Sequence, residues 1–143
     1  MNNILLVGGG EFREECLAMD SYLLESLKKN HPRVAIIPTA AANQRPEKAG
    51  ENGVRYFDSL GANANSILIL NRAQAEDETY FSNIHEVDLI YLTGGDPKHL
   101  LETLYQTPFM AAITESVSKG ATLAGSSAGA MVLGSRMRFK KWM

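Results

Sequence analysis

The 143-residue sequence holds a single cysteine, Cys16. No disulfide can close within the chain, which excludes a disulfide-stapled secreted scaffold and fits a reducing, cytoplasmic setting. With no second cysteine and only three histidines, His31, His85 and His99, the sequence offers no metal-ligand spacing, and neither a metal nor an organic cofactor is expected. Long apolar runs are missing too, and none approaches the roughly 20 residues of a membrane span. The opening stretch MNNILLVGGGE has no basic segment and no small-residue cleavage site, so it reads as a first strand and not as a signal peptide. No charge of one sign dominates. A net charge of −2 argues against a general nucleic-acid or membrane binder. The last deficit is local: residues 128–143 contain no His, Asp or Glu.

What is present is ordinary for one soluble domain spanning 1–143, with 45% hydrophobic and 21% charged residues. Apolar runs alternate with helical patterns. Strands are expected at 4–8, 33–38, 66–70, 88–93 and 121–124, and helices at 20–30, 45–60, 75–85, 98–105 and 108–119. Gly61 suits a helix C-terminus and Pro108 a first helical turn. Strands that read as continuous Ile/Leu/Val runs between amphipathic helices predict an α/β fold, a parallel sheet with helices on both faces. Such sheets bind ligands beyond the carboxyl ends of their strands. Three glycine turns fall there: 8–10, 94–95 and 125–129.

Gly125-Ser126-Ser127-Ala128-Gly129 carries the chemistry. G-x-S-x-G after a buried strand and before a helix is the pattern of a nucleophile elbow, which holds a serine in a strained turn. Ser127 is therefore the candidate nucleophile, and the N–H of Ala128 a candidate oxyanion donor. A serine of this kind needs a base to take its proton. Gly94-Gly95-Asp96 can aim a second N–H into the cleft, or can form a turn in which Asp96 caps the helix that follows. Gly8-Gly9-Gly10 lacks the third glycine of a dinucleotide fingerprint, since Arg13 stands at that position. Gly9 and Gly10 then form a tight turn beside the cleft. His31 and His85 fall on the amino-terminal side of the sheet. His99 falls near the cleft, as a helix-turn histidine or a substitute base. The basic, aromatic stretch 135–143 suits the C-terminal end of the elbow helix, where cations oppose the dipole.

LLVGGGE, the Y-L-T-G-G-D stretch with its leucine-bearing helix, and A-G-S-S-A-G-A-M together resemble the dipeptidase E and cyanophycinase family of serine peptidases. That family is similar to the class I glutamine amidotransferase fold, with flavodoxin-like layers and serine in place of the nucleophilic cysteine. The resemblance covers nearly the whole chain. It implies Ser127 as nucleophile, with Ala128 and either Gly94 or Gly95 as oxyanion donors. Asp96, Gly9, Gly10 and His99, by their place beside the cleft, are the candidate substrate-binding residues. The resemblance also implies cofactor-free hydrolysis of small acidic peptides through an acyl-enzyme. Family members carry the catalytic histidine, its acidic partner and further strands after the nucleophile, and no residue here receives those roles.

Three readings stay open at this stage. One is a serine hydrolase whose base comes from another chain or from His99. The second is a non-catalytic binding protein of the same fold. The third is an α/β-hydrolase esterase, which shares the elbow but fits the Gly94-Gly95-Asp96 turn less well. Since the elbow strand is interior in the family's sheet, a sheet lacking the C-terminal strands is expected to expose apolar surface. Self-association or a complementing chain would cover that surface.

Overall fold

The computed structural model describes residues 4–136. It contains a five-stranded, wholly parallel sheet in the order β1-β5-β4-β2-β3. The strands are β1 Ile4–Val7, β2 Arg33–Ile37, β3 Asn63–Ser66, β4 Leu89–Leu92 and β5 Thr122–Ser126. The helices are α1 Leu17–Ser26, α2 Pro46–Ser59, α3 Arg72–Ala75, α4 Pro97–Leu104, α5 Pro108–Ser118 and α6 Ala128–Met131. The expected α/β class, with helices on both faces, is the observed one.

Strand side chains alternate between two cores because successive Cβ atoms point to opposite faces. Val34, Ile36, Leu89, Tyr91 and Ala124 pack with Leu24 of α1 and with Tyr56 and Phe57 of α2. Ala35, Ile37, Ile90, Leu92 and Leu123 face the other way, against Leu100 and Leu104 of α4 and Phe109 and Ile113 of α5. The central strands β2 and β4 are buried on both faces, which explains their unbroken apolar sequence. β5 lies between β1 and β4, and so the elbow at its end is interior to the sheet. β1 is an edge strand. Its Ile4 and Leu6 stay 58% and 61% exposed.

Three elements differ from the sequence expectation. The third strand is 63–66, earlier than the apolar run 66–70. As an edge strand paired only with β2, it uses Asn63-Ala64-Asn65-Ser66 for the ladder. Ile69 turns inward to full burial, with its carbonyl held by the Thr39 hydroxyl at 2.6 Å. The helix expected over 75–85 is instead α3 followed by two 3-10 turns, Glu78–Tyr80 and Ile84–Glu86. Asp77 breaks it, because its carboxylate accepts from both the N–H and the hydroxyl of Thr79, a local alternative to helical bonding. The first helix starts and stops earlier than expected, at 17–26, and Lys28 follows in the left-handed region at φ 54°. The basic stretch at the chain's end lies largely outside the described residues.

Asp20 of α1 is fully buried. One of its oxygens accepts from the Tyr56 hydroxyl at 2.6 Å, and the other has no partner. Burial raises its carboxyl above the ordinary value, against the opposing pull of that hydrogen bond. A carboxyl raised in the folded state stabilises the fold below its unfolded value, about pH 4, and this contribution is lost as pH rises through the folded value. Urea unfolding of the wild type and of Asp20→Asn between pH 4 and 8 checks this. The wild type is expected to lose stability relative to the variant as pH rises, and a constant difference would contradict it.

Candidate active site

The end of β5 is built around close backbone approach. A Cβ on Gly129 would lie 2.3 Å from the Leu92 carbonyl oxygen, and one on Gly125 would lie 2.5 Å from the Gly129 carbonyl carbon. Only glycine at both positions lets α6 start directly above β4 and β5. Between them Ser127 adopts φ 53°, ψ −109°, a strained conformation for a non-glycine residue. Its N–H donates to Val7 of β1 at 2.9 Å, and its carbonyl accepts from Met131 at 2.9 Å. Ser127 is exposed, whereas its neighbours Ser126 and Ala128 are buried. Ala128 is the first residue of α6, where N–H groups have no partner within the helix.

The Gly94-Gly95 turn meets this elbow. A Cβ on Gly94 would lie 3.4 Å from Ser127 Cβ. Gly95, at φ 146°, leans on the 3-10 turn Thr39–Ala41, and a Cβ there would fall 2.2 Å from the Ala40 carbonyl oxygen. Asp96 is the N-cap of α4. Its carboxylate accepts from the N–H groups of Lys98 and His99, and its own N–H donates to Ala40 at 2.7 Å. The His99 ring is held by the Leu70 carbonyl, 2.8 Å from Nε2, and it makes no hydrogen bond to Ser127. His31 contacts the Gly61 carbonyl and His85 lies beside Ser116, so neither joins the elbow.

Glu11, which the sequence reading passed over, joins the three glycine turns. One carboxylate oxygen accepts from the Gly94 N–H at 2.9 Å, and the other accepts from the buried Ser126 hydroxyl at 2.8 Å. The turn that delivers it uses Gly9 at φ 154° and Gly10 at φ 70°. Phe12 anchors that turn, with its ring 5.2 Å from Tyr91 and 5.6 Å from Tyr56 between centroids. Gly53 of α2 leaves the room, since a Cβ there would meet the Phe12 ring at 2.8 Å. The available signal was the acidic residue directly after Gly8-Gly9-Gly10, but its partners lie 83 and 115 residues away. Cys16 is a buried thiol whose Sγ lies 3.3 Å from the Gly10 carbonyl, and burial, with Asp20 and Glu15 nearby, pushes it up. Among the described residues no cluster of His, Cys, Asp and Glu could hold a metal ion.

The sequence model of Peptidase family S51 matches residues 4–143. The chain belongs to peptidase family S51. A cyanophycinase of Geminocystis herdmanii is 32% identical over 138 residues, a stretch that covers 95% of this chain and 50% of that protein. A Bacillus subtilis relative named uncharacterized peptidase YgaJ is 30% identical, over 92% of this chain and 56% of its own length. The crystal structure of a peptidase from an acI-B1 actinobacterium superposes with a TM-score of 0.85 at 34% identity, covering 94% of this chain and 57% of that one. The S51 chain thus spans about half the length of these relatives. No helix among its described residues is long and apolar enough to cross a membrane.

The elbow geometry makes a stability prediction for this S51 chain. Gly129→Ala forces backbone apart at Leu92, and overpacking of this kind costs about 1–3 kcal/mol. A drop of that size in the unfolding free energy, read as a lower urea midpoint, is expected. An unchanged midpoint would show that α6 does not rest on β4 as described.

Proposed function

We propose that this chain is the nucleophile-bearing part of a serine-type peptidase that cleaves small acidic peptides through an acyl-enzyme on Ser127. The observation that carries the reading is Ser127 itself, exposed at φ 53°, ψ −109° above the carboxyl end of the interior strand β5. The S51 relatives support peptide hydrolysis as the reaction class.

In this reading Oγ adds to the peptide carbonyl carbon while its proton passes to a base. The amide nitrogen leaves with a proton, forming an ester on Ser127, and water then hydrolyses the ester. The Ala128 N–H is one oxyanion donor. Gly94 can serve as the second only when Glu11 releases its N–H, whereas the Gly95 N–H has no such competitor among the described residues. The base comes from outside the described residues, because each histidine is held away from the elbow. His99 could act only by giving up Leu70. A second reading, a binding protein with this cleft and no turnover, draws support from that same disposition of the histidines. Removing one member of a triad costs on the order of 10⁴-fold in rate. The single buried thiol supports a cytoplasmic setting.

A fluorophosphonate probe with peptide mapping separates the two readings. Labelling of Ser127 that disappears in Ser127→Ala is expected for the peptidase. A folded protein that takes no label would make the chain, on its own, a binding module.

The free edge of β1, with Ile4 and Leu6 uncovered, supports a further proposal of self-association or of a complementing chain at that edge. Light scattering after size exclusion should give a mass above that of the 15.7 kDa monomer. A folded monomer at high concentration would rule out self-association.

A further inference from the structure

Beside Gly94, on the α2 side of the sheet, an open groove of about 600 Å³ runs between the 10–13 turn and α2. We propose that this groove is an anion subsite, in which Arg13 and Arg55 hold a carboxylate of the bound peptide. The proposal rests on the peptidase reading for the identity of the ligand, but not for the existence of the subsite.

The charge balance of the lining points to an anion. Arg13 and Arg55 both line the groove and are exposed. The ion pairs of the described residues use other cations: Lys29, Arg33, Arg72, Lys98 and Lys119. Arg55 sits one helical turn after Glu51, the spacing at which an ion pair commonly forms, yet no pair joins them. Glu51 borders the neighbouring groove with Glu47 and Leu68, and Arg55 stands between the two grooves and lines both. One carboxylate, Glu11, does line the subsite, but Gly94 and Ser126 already engage its two oxygens. Asn52 lies three residues before Arg55 on the same face of α2 and adds a neutral donor.

One wall of the groove is anchored, and its end lies beside the elbow. Phe12 pins the turn that bears Arg13 against Tyr56 and Tyr91, and the Arg13 carbonyl accepts from Cys16 at 3.0 Å. The groove ends at Gly94, where a Cβ would lie 3.4 Å from Ser127 Cβ, so a peptide held at the elbow can extend into it. Its volume suits a ligand of dipeptide size. Arginine's planar fork binds carboxylates in a bidentate manner, which a lysine pair would not reproduce. The carboxylate can come from an acidic side chain or from a free C-terminus.

The test is an NMR titration of the ¹⁵N-labelled Ser127→Ala protein, in which turnover plays no part. The three probes are Asp-Leu amide, with only a side-chain carboxylate, Asn-Leu, with only a terminal one, and Asn-Leu amide, with neither. Saturable shifts at Arg13, Asn52 and Gly94 are expected with at least one anionic probe and not with the neutral one. Which anionic probe binds identifies the source of the carboxylate. Arg13→Gln and Arg55→Gln, both at exposed positions, are each expected to weaken binding about tenfold, as the loss of one hydrogen bond to a charged group implies. Equal binding of the neutral probe, shifts confined to other residues, or unchanged affinity in both variants would overturn the subsite. Carboxylate binding here with no fluorophosphonate label on wild-type Ser127 would leave the subsite standing and refute peptidase turnover by this chain on its own. A labelled Ser127 with no carboxylate binding would do the reverse.

Discussion

Gly129 rests on the backbone of Leu92, and Gly125 rests on Gly129 in turn. This stack of bare backbone, without side chains between its layers, is what lets α6 begin immediately after β5. It forces Ser127 into a conformation that serine avoids when free. The strain is held by the Ser127 N–H bond to Val7 on one side and the Met131 bond on the other. Packing at this junction therefore presents the hydroxyl to solvent while the residues on both sides are buried.

Glu11 is the second constraint, and it acts on the same junction from the opposite direction. Its two oxygens connect the turn after β1, the turn after β4 and the end of β5. A carboxylate that accepts one bond from a backbone N–H and one from a hydroxyl is well satisfied at a partly buried site. The aromatic group of Phe12, Tyr56, Phe57 and Tyr91 fixes its position, with ring centroids 5.1–6.1 Å apart. The apolar core beneath the sheet thus positions a polar clamp above it. The clamp occupies the Gly94 N–H and leaves that of Gly95 without a partner among the described residues.

The sheet is less complete at β1 than at its centre. β2 and β4 are covered on both faces, whereas β1 has Ile4 and Leu6 open to solvent on the face where α4 and α5 pack against the other strands. The S51 relatives are about twice as long as this chain. Among the described residues no histidine reaches the elbow, since each of the three rings is held elsewhere.

The parallel α/β sheet was legible in the sequence because β2 and β4 are buried on both faces, and a doubly buried strand must read as an unbroken apolar run. The elbow was legible because backbone contact admits only glycine at 125 and 129, and this leaves a fixed spacing around the serine. The third strand and the helix expected over 75–85 were not legible. An edge strand needs no apolar run, and the hydrogen bonds of Asp77 to Thr79 outweighed helical periodicity. Nor could local pattern reveal Glu11, the commitment of His99 to Leu70, or the placement of Arg13 and Arg55 along one groove. Each depends on residues far apart along the chain, which only the order β1-β5-β4-β2-β3 brings together. Periodicity and glycine spacing are properties of neighbouring residues, so the sequence itself determined the layers and the elbow. The partners that act on the elbow are set by which strand ends lie side by side, and tertiary structure alone decided that.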